Sequence, residues 1–248
     1  MGNQVIITER TNKVIYREGD KVIKAFAVGY SKSDILNEAV NQARVEETGL
    51  NIPKILGVKT IDGKWSIELE FVEGKTLQQL MDENPDKINE YLDKFVELQM
   101  EVHSKRAPLL SKLDDKLERK INNAPIDAST RYELHQKLSS ISKHRKVCHG
   151  DFNPSNIIVR PDGEMFILDW SHATQGNASG DAAQTYLEFL ISKNEDLARK
   201  YLNLYCKKSD TAIQYVLEWV SIVAAAGLSK ASDDVKELLL RFINVVEY

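Results

Sequence analysis

Cysteine is scarce in this chain: Cys148 and Cys206 are the only two in 248 residues, far apart and in apolar settings. That excludes a disulfide scaffold and suggests reduced core thiols in a cytoplasmic protein. Long hydrophobic runs are missing as well. The most apolar stretch, Ala212 to Leu228, is interrupted by Gln214, Glu218 and Ser221, so it reads as a buried helix rather than a membrane span. Neither charge sign dominates, with 33 Lys and Arg against 37 Asp and Glu, a net charge of -4 and no basic block. The chain therefore has no electrostatic reason to seek nucleic acid or an anionic membrane. Behind Met1-Gly2-Asn3-Gln4 there is neither a basic segment nor an apolar run, so no secretory signal is expected. Ile6 stands where a myristoylation motif wants Ser or Thr. Repeats, low-complexity tracts and flexible linkers are absent, and nothing in the chain specifies an oligomeric state.

What is present is ordinary for a globular protein, 42% hydrophobic and 28% charged residues, in a chain long enough for one domain or two lobes sharing a cleft. The first seventy residues read as strands around one helix. Val5-Ile6-Ile7, Val14 to Arg17 and Lys21 to Phe26 are short β-branched runs, and Glu18-Gly19-Asp20 turns the second into the third. Ser31 to Asp34 offer helix caps, and Ile35, Leu36, Ala39, Val40 and Ala43 recur at helical spacing until Gly49. Two further strands, Ile55 to Ile61 and Lys64 to Val72, meet at Asp62-Gly63. From there the pattern is helical: Thr76 to Met81, Pro85 to His103, Leu113 to Ile121, Ala128 to Ile141, Ala182 to Ile191, Asn194 to Cys206, Ala212 to Leu228 and Asp233 to Val246. The spacing thus predicts an α+β protein: an N-terminal antiparallel sheet with one helix over 1–72, and a mainly helical part over 73–248.

One stretch carries the chemistry. His149-Gly150-Asp151-Phe152-Asn153-Pro154-Ser155-Asn156 spaces an Asp and an Asn as H-x-D-x-x-x-x-N does. Ile157-Ile158-Val159 follows as an apolar strand, Asp162-Gly163 is a hairpin signal, and Met165 to Leu168 returns to deliver Asp169 and Trp170. A kinase uses such carboxylates and such an amide to hold a hydroxyl and magnesium ions around ATP. An Asp in a loop can also simply bond its own backbone, so the motif counts through its setting rather than through any single residue.

On these residues, from about Thr8 to about Leu190, the chain resembles the aminoglycoside phosphotransferase and choline kinase branch of the protein-kinase-like fold. The resemblance implies two lobes and phosphoryl transfer from ATP to a hydroxyl of a small molecule. Asp151 would be the catalytic base, and Asn156 and Asp169 would hold Mg2+. Lys24, flanked by apolar residues in Val22-Ile23-Lys24-Ala25-Phe26, needs an anionic partner if buried. ATP phosphates and Glu38 on the following helix would supply it; taken alone, Lys24 could equally be an edge-strand lysine that guards against aggregation, but the shared context disfavours that reading. Leu69 to Gly74 resembles a hinge, where adenine would bond the Glu70 carbonyl and the Val72 N–H. Val14, Val22, Ile158 and Leu168 would enclose the ring, and each serves equally well as plain core. The loop over the nucleotide would be Glu9 to Lys13, which contains no glycine. His149 and the downstream Gly180-Asp181 resemble supports of the catalytic loop. Asn153 departs from the His common at that place, and Trp170 reads as core.

Two rival readings share this fold. A protein serine/threonine kinase is disfavoured by the glycine-free loop and by the short span from Asp169 to Gly180, which shows no A-P-E. A non-catalytic nucleotide-binding protein is disfavoured because the lysine, the base and the metal residues are all present. Acceptor choice would reside in the helical part, around Asp114-Asp115, Tyr132 and Tyr186 to Glu188.

Overall fold

The computed structural model describes residues 4–243. In chain order the elements begin with β1 Gln4–Arg10, β2 Lys13–Glu18, β3 Lys21–Phe26, α1 Lys32–Glu46, β4 Ile55–Ile61, β5 Lys64–Glu70, β6 Lys75–Thr76 and α2 Leu77–Glu83. There follow α3 Ile88–Ser104, α4 Leu113–Asn122, α5 Ala128–Ser140, β7 Lys146–Cys148, β8 Ile157–Val159, β9 Met165–Ile167 and β10 Thr174–Gly176. The helices α6 Ala178–Ile191, α7 Glu195–Ser209, α8 Ile213–Gly227 and α9 Asp233–Ile243 complete it. The expected continuation of α9 to Val246 lies outside the described residues. Among those residues no helix is long and apolar enough to cross a membrane.

The chain divides into two compact units, 1–85 with 154–172, and 86–153 with 173–248. The expected division after residue 72 does not coincide with these units. The reason is pairing: Lys75 and Thr76 of β6 lie against Val159 and Ile158 of β8, which draws the 154–172 hairpin to the sheet unit. Gly74 permits that approach, since its φ is 158° and a Cβ there would overlap the Val159 carbonyl oxygen.

In the first unit five antiparallel strands run in the order β1-β2-β3-β5-β4. The two-residue Gly19-Asp20 turn fixes the register of β2 on β3, setting Glu18 opposite Lys21, Ile15 opposite Lys24 and Lys13 opposite Phe26. Residues that alternate along a strand share a face, so Lys13, Ile15, Val22, Lys24 and Phe26 lie on one side of the sheet. Asp62 and Gly63, both left-handed at φ 48° and 76°, close the β4–β5 hairpin in the turn type their sequence favours. β5 ends at Glu70 rather than Val72, and a single further bond, from the Phe71 N–H to the Asp20 carbonyl, extends the β3–β5 ladder beyond the last pair, Lys21 and Glu70. α1 starts at Ser31, whose hydroxyl accepts the Asp34 N–H, and buries Ile35 and Ala39 against Phe26, Ile67 and Leu69.

The second unit is built around α3. Its buried Phe95 meets the rings of Phe152, Phe189 and Tyr201 at centroid distances of 4.8, 5.8 and 5.9 Å. α6 begins at Ala178 under an Asn177 cap, earlier than the Ala182 expected from its apolar spacing. Gly180 and Asp181 consequently lie in its first turn.

Candidate active site

Lys24 is buried at 7% exposure on the α1 side of the sheet. Its Nζ donates to Glu38 Oε1 at 2.8 Å and to Asp169 Oδ1 at 3.2 Å. Burial alone would lower the pKa of this ammonium, but Asp169 and Glu38 outweigh it and raise the value. α1 supplies Glu38 on the face that also carries Asn41, whose amide donates to the Ser171 carbonyl at 3.4 Å. The helix thereby spans both the sheet lysine and the segment after Asp169.

Asp169 has φ 59°, a left-handed conformation uncommon for a residue with a Cβ. Its other oxygen, Oδ2, stands 3.7 Å from the Lys13 Nζ. Burial pushes its carboxyl up, yet the Lys24 and Lys13 ammoniums together hold it well below the usual carboxylate range. The sequence pattern singled out Lys24, Glu38 and Asp169, which the fold gathers. It named Lys13 only as the end of the loop over the nucleotide, with no contact of its own, although the two-residue turn at Gly19-Asp20 was enough to place Lys13 on the face of Lys24.

Asn156 precedes β8, and its carbonyl accepts the Leu168 N–H at 2.7 Å across the base of the hairpin. That bond sets Asn156 beside the residue leading into Asp169. Among the described residues no group of three or more His, Cys, Asp or Glu is assembled as a metal cage. One Asp and one Asn nevertheless fit magnesium, which takes few protein oxygens and fills its shell with phosphate and water. Val22, Ile158, Leu168, Glu70 and Val72 are all half-buried in this same unit. Val14 is a correction: it pairs with Ala25 and so lies on the face away from Lys24, whereas Ile15, directly opposite Lys24, shares its face.

In the second unit the loop at Asp151 is held by α6. Asp181, itself buried, accepts the Gly150 N–H at 2.6 Å and the His149 N–H at 3.1 Å. Despite burial its carboxyl is held below the usual range, chiefly by His103. The His103 Nε2 lies 3.0 Å from Asp181, and its Nδ1 lies 3.1 Å from the Tyr205 hydroxyl. Gly150 turns the loop at φ 79°. Beyond it, the Thr185 hydroxyl donates to the Phe152 carbonyl at 2.9 Å, accepts from Gln99 at 3.0 Å, and Tyr201 donates to Gln99 at 2.6 Å. The wholly buried His149 accepts the Asp151 N–H on Nδ1 at 3.2 Å. Asn153 donates to Asp151 Oδ1 at 2.9 Å, so the unusual residue at that place steadies the aspartate itself. Glu188, one helical turn past Thr185, has its carboxyl pushed up by burial and by Asp151. Thr185, Gln99 and His103 had no local signal, since their partners lie 33 to 102 residues away.

A five-stranded antiparallel sheet with a buried Lys–Glu pair, followed by a helical unit carrying an H-G-D loop, defines a protein-kinase-like phosphotransferase fold. The family model described as the phosphotransferase enzyme family matches residues 7–216, and the chain belongs to that family. Solved structures agree on the fold. A thermostable mutant of aminoglycoside phosphotransferase APH(4)-Ia, in ternary complex with AMP-PNP and hygromycin B, superposes with a TM-score of 0.71 at 13% identity, covering 98% of this chain and 92% of that one. An aminoglycoside-3'-phosphotransferase of type VIII gives 0.64 at 15% identity, covering 89% and 93%. A choline/ethanolamine kinase family protein from Mesorhizobium loti gives 0.63 at 14% identity, covering 98% and 86%. No curated protein matches the chain by sequence.

Proposed function

We propose that the protein is a small-molecule kinase that moves the γ-phosphate of ATP to a hydroxyl of its acceptor. The observation that carries this reading is Lys24, buried in the sheet and bonded at once to a helix carboxylate and to a carboxylate in left-handed backbone. An ion pair of that kind adds little net stability on its own, so its presence here is better explained by a use such as phosphate binding. Residues 1–72 would form the nucleotide side, with adenine on the Glu70 carbonyl and the Val72 N–H and flanked by Val22, Ile158 and Leu168. Residues 73–248 would form the helical part that recognises the acceptor.

Asn156 and Asp169 would hold Mg2+, which when bound neutralises charge on the phosphates. Lys24, kept in place by Glu38, would bind the α- and β-phosphates. Asp151 would orient the acceptor hydroxyl, with the Asn153 amide fixing its Oδ1. The acceptor oxygen bonds to the γ-phosphorus as the bond to the bridging oxygen breaks; ADP leaves, and the hydroxyl proton passes to Asp151. Positioning and charge neutralisation supply the acceleration, because no side chain forms a covalent intermediate.

An ADP-release screen over aminoglycosides, choline, ethanolamine, sugars, homoserine and thiamine tests the reading and finds the acceptor. With an accepted substrate, Asp151→Ala should abolish transfer and leave nucleotide affinity nearly intact, while Asp169→Ala should weaken Mg-ATP binding in calorimetry. Full turnover by Asp151→Ala would remove that residue from its role. A wild-type protein that binds no purine nucleotide with Mg2+ would end the proposal.

A further inference from the structure

We infer that Lys13 is a second phosphate-binding lysine, standing in for the glycine-rich backbone that the loop before β2 lacks; this rests on the nucleotide site proposed above. The loop is a tight turn at Thr11-Asn12, with Arg10 paired to Lys13, and it lacks the glycines that let backbone approach phosphate most closely. What the turn delivers instead is an ammonium. Lys13 opens β2 on the face of Lys24, and its side chain is only 13% exposed, its Nζ lying 3.7 Å from Asp169 Oδ2. An ordinary surface lysine keeps its head in water, whereas this one is drawn in toward a carboxylate that Lys24 already holds.

Two ammoniums, Lys13 and Lys24, thus meet two carboxylates, Glu38 and Asp169. Their assignments differ. Lys24 is bonded to both acids at 3.2 Å or less, while Lys13 reaches only Asp169, and at longer range. A divalent cation held by Asp169 would compete with Lys13 for that carboxylate, and Lys24 would still have its bond to Glu38. The triphosphate brings more negative charge than one such cation cancels. Lys13, on a flexible four-carbon stem, would then be free to turn to the phosphate oxygens.

Calorimetric titration of the full-length protein with ADP and with adenosine, each with Mg2+, separates phosphate from base binding. Lys13→Ala should weaken ADP binding about tenfold, a value typical of one charge-assisted contact. Adenosine affinity should not change, Lys13→Arg should restore most of the loss, and the salt dependence of ADP binding should be shallower in Lys13→Ala. Unchanged ADP affinity in Lys13→Ala overturns the inference. Tighter ADP binding also overturns it, by showing that Lys13 only guards Asp169. An equal loss of ADP and adenosine affinity overturns it as well, by tracing the effect to the sheet. If wild-type protein binds neither ligand, the proposed nucleotide site has failed and Lys13 falls with it.

Discussion

Asp169 joins a strained backbone to a carboxylate shared by two lysines, and its titration is therefore coupled to folding. Its folded pKa lies below the unfolded value of about 3.9, so the stabilisation is present above that pH and is lost as pH falls through the folded value. Urea unfolding of wild type and Asp169→Asn should differ by a constant amount from about pH 6 to pH 5, and the gap should close progressively below about pH 4. A gap that did not vary with pH would remove the ion pairs as its cause. Lys24 acts at the other end of the scale. Its raised pKa gives stabilisation that is complete below about 10.4 and is lost as pH rises through the folded value. Which side chains make such a site is only partly legible in a sequence. Lys24, Asp151, Asn156 and Asp169 stand out because apolar strands and a fixed motif spacing frame them. Lys13 and Asn153 do not, because their significance comes from a register and from a bond to a neighbour.

Helix α6 presents Asp181, Thr185 and Glu188 along one face, at spacings of four and three residues. Asp181 holds the loop ahead of Asp151, and Thr185 holds the Phe152 carbonyl behind it. Thr185→Val keeps the shape but removes the hydroxyl, leaving that carbonyl and the Gln99 amide without this partner. It should cost about 1–3 kcal/mol in urea unfolding. It should also lower kcat roughly tenfold while KM for nucleotide stays fixed, as expected for misalignment of Asp151 rather than lost binding. Equal losses in kcat and nucleotide affinity would make Thr185 a purely structural residue. The long elements were readable because each spans enough residues for a period to show: α3, α7 and α8 fall within a few residues of their expected limits. β6, β7 and β10, two or three residues each, are too short to carry a period and exist only through their partners. The early start of α6 was hidden because Ala178-Ser179-Gly180-Asp181 looks like a loop, whereas its Asn177 cap and buried Asp181 make it a helical turn.

At the scale of the whole chain, both thiols are buried, and burial raises their pKa values. An aromatic disulfide reagent at pH 8 should find both cysteines in urea. Native protein should react at least roughly a hundredfold more slowly, at a rate set by opening of the structure. Fast reaction of one thiol in native protein would show that its surroundings open locally. The division into units has a further effect, on dissection. The chain passes from one unit to the other at residues 85, 153 and 172, so no single cut releases either unit whole. A fragment ending at Pro85 would keep Lys24 and Glu38 but forfeit Asp169 together with the β8–β9 strands that pair with β6. During synthesis, likewise, the sheet unit waits for Asp169 before its lysine can meet its second acid, and about half of the helical unit is made before then. Expression of either half as an independent module should therefore yield an incomplete core, and the proposed nucleotide site would be intact only in a chain that carries both segments.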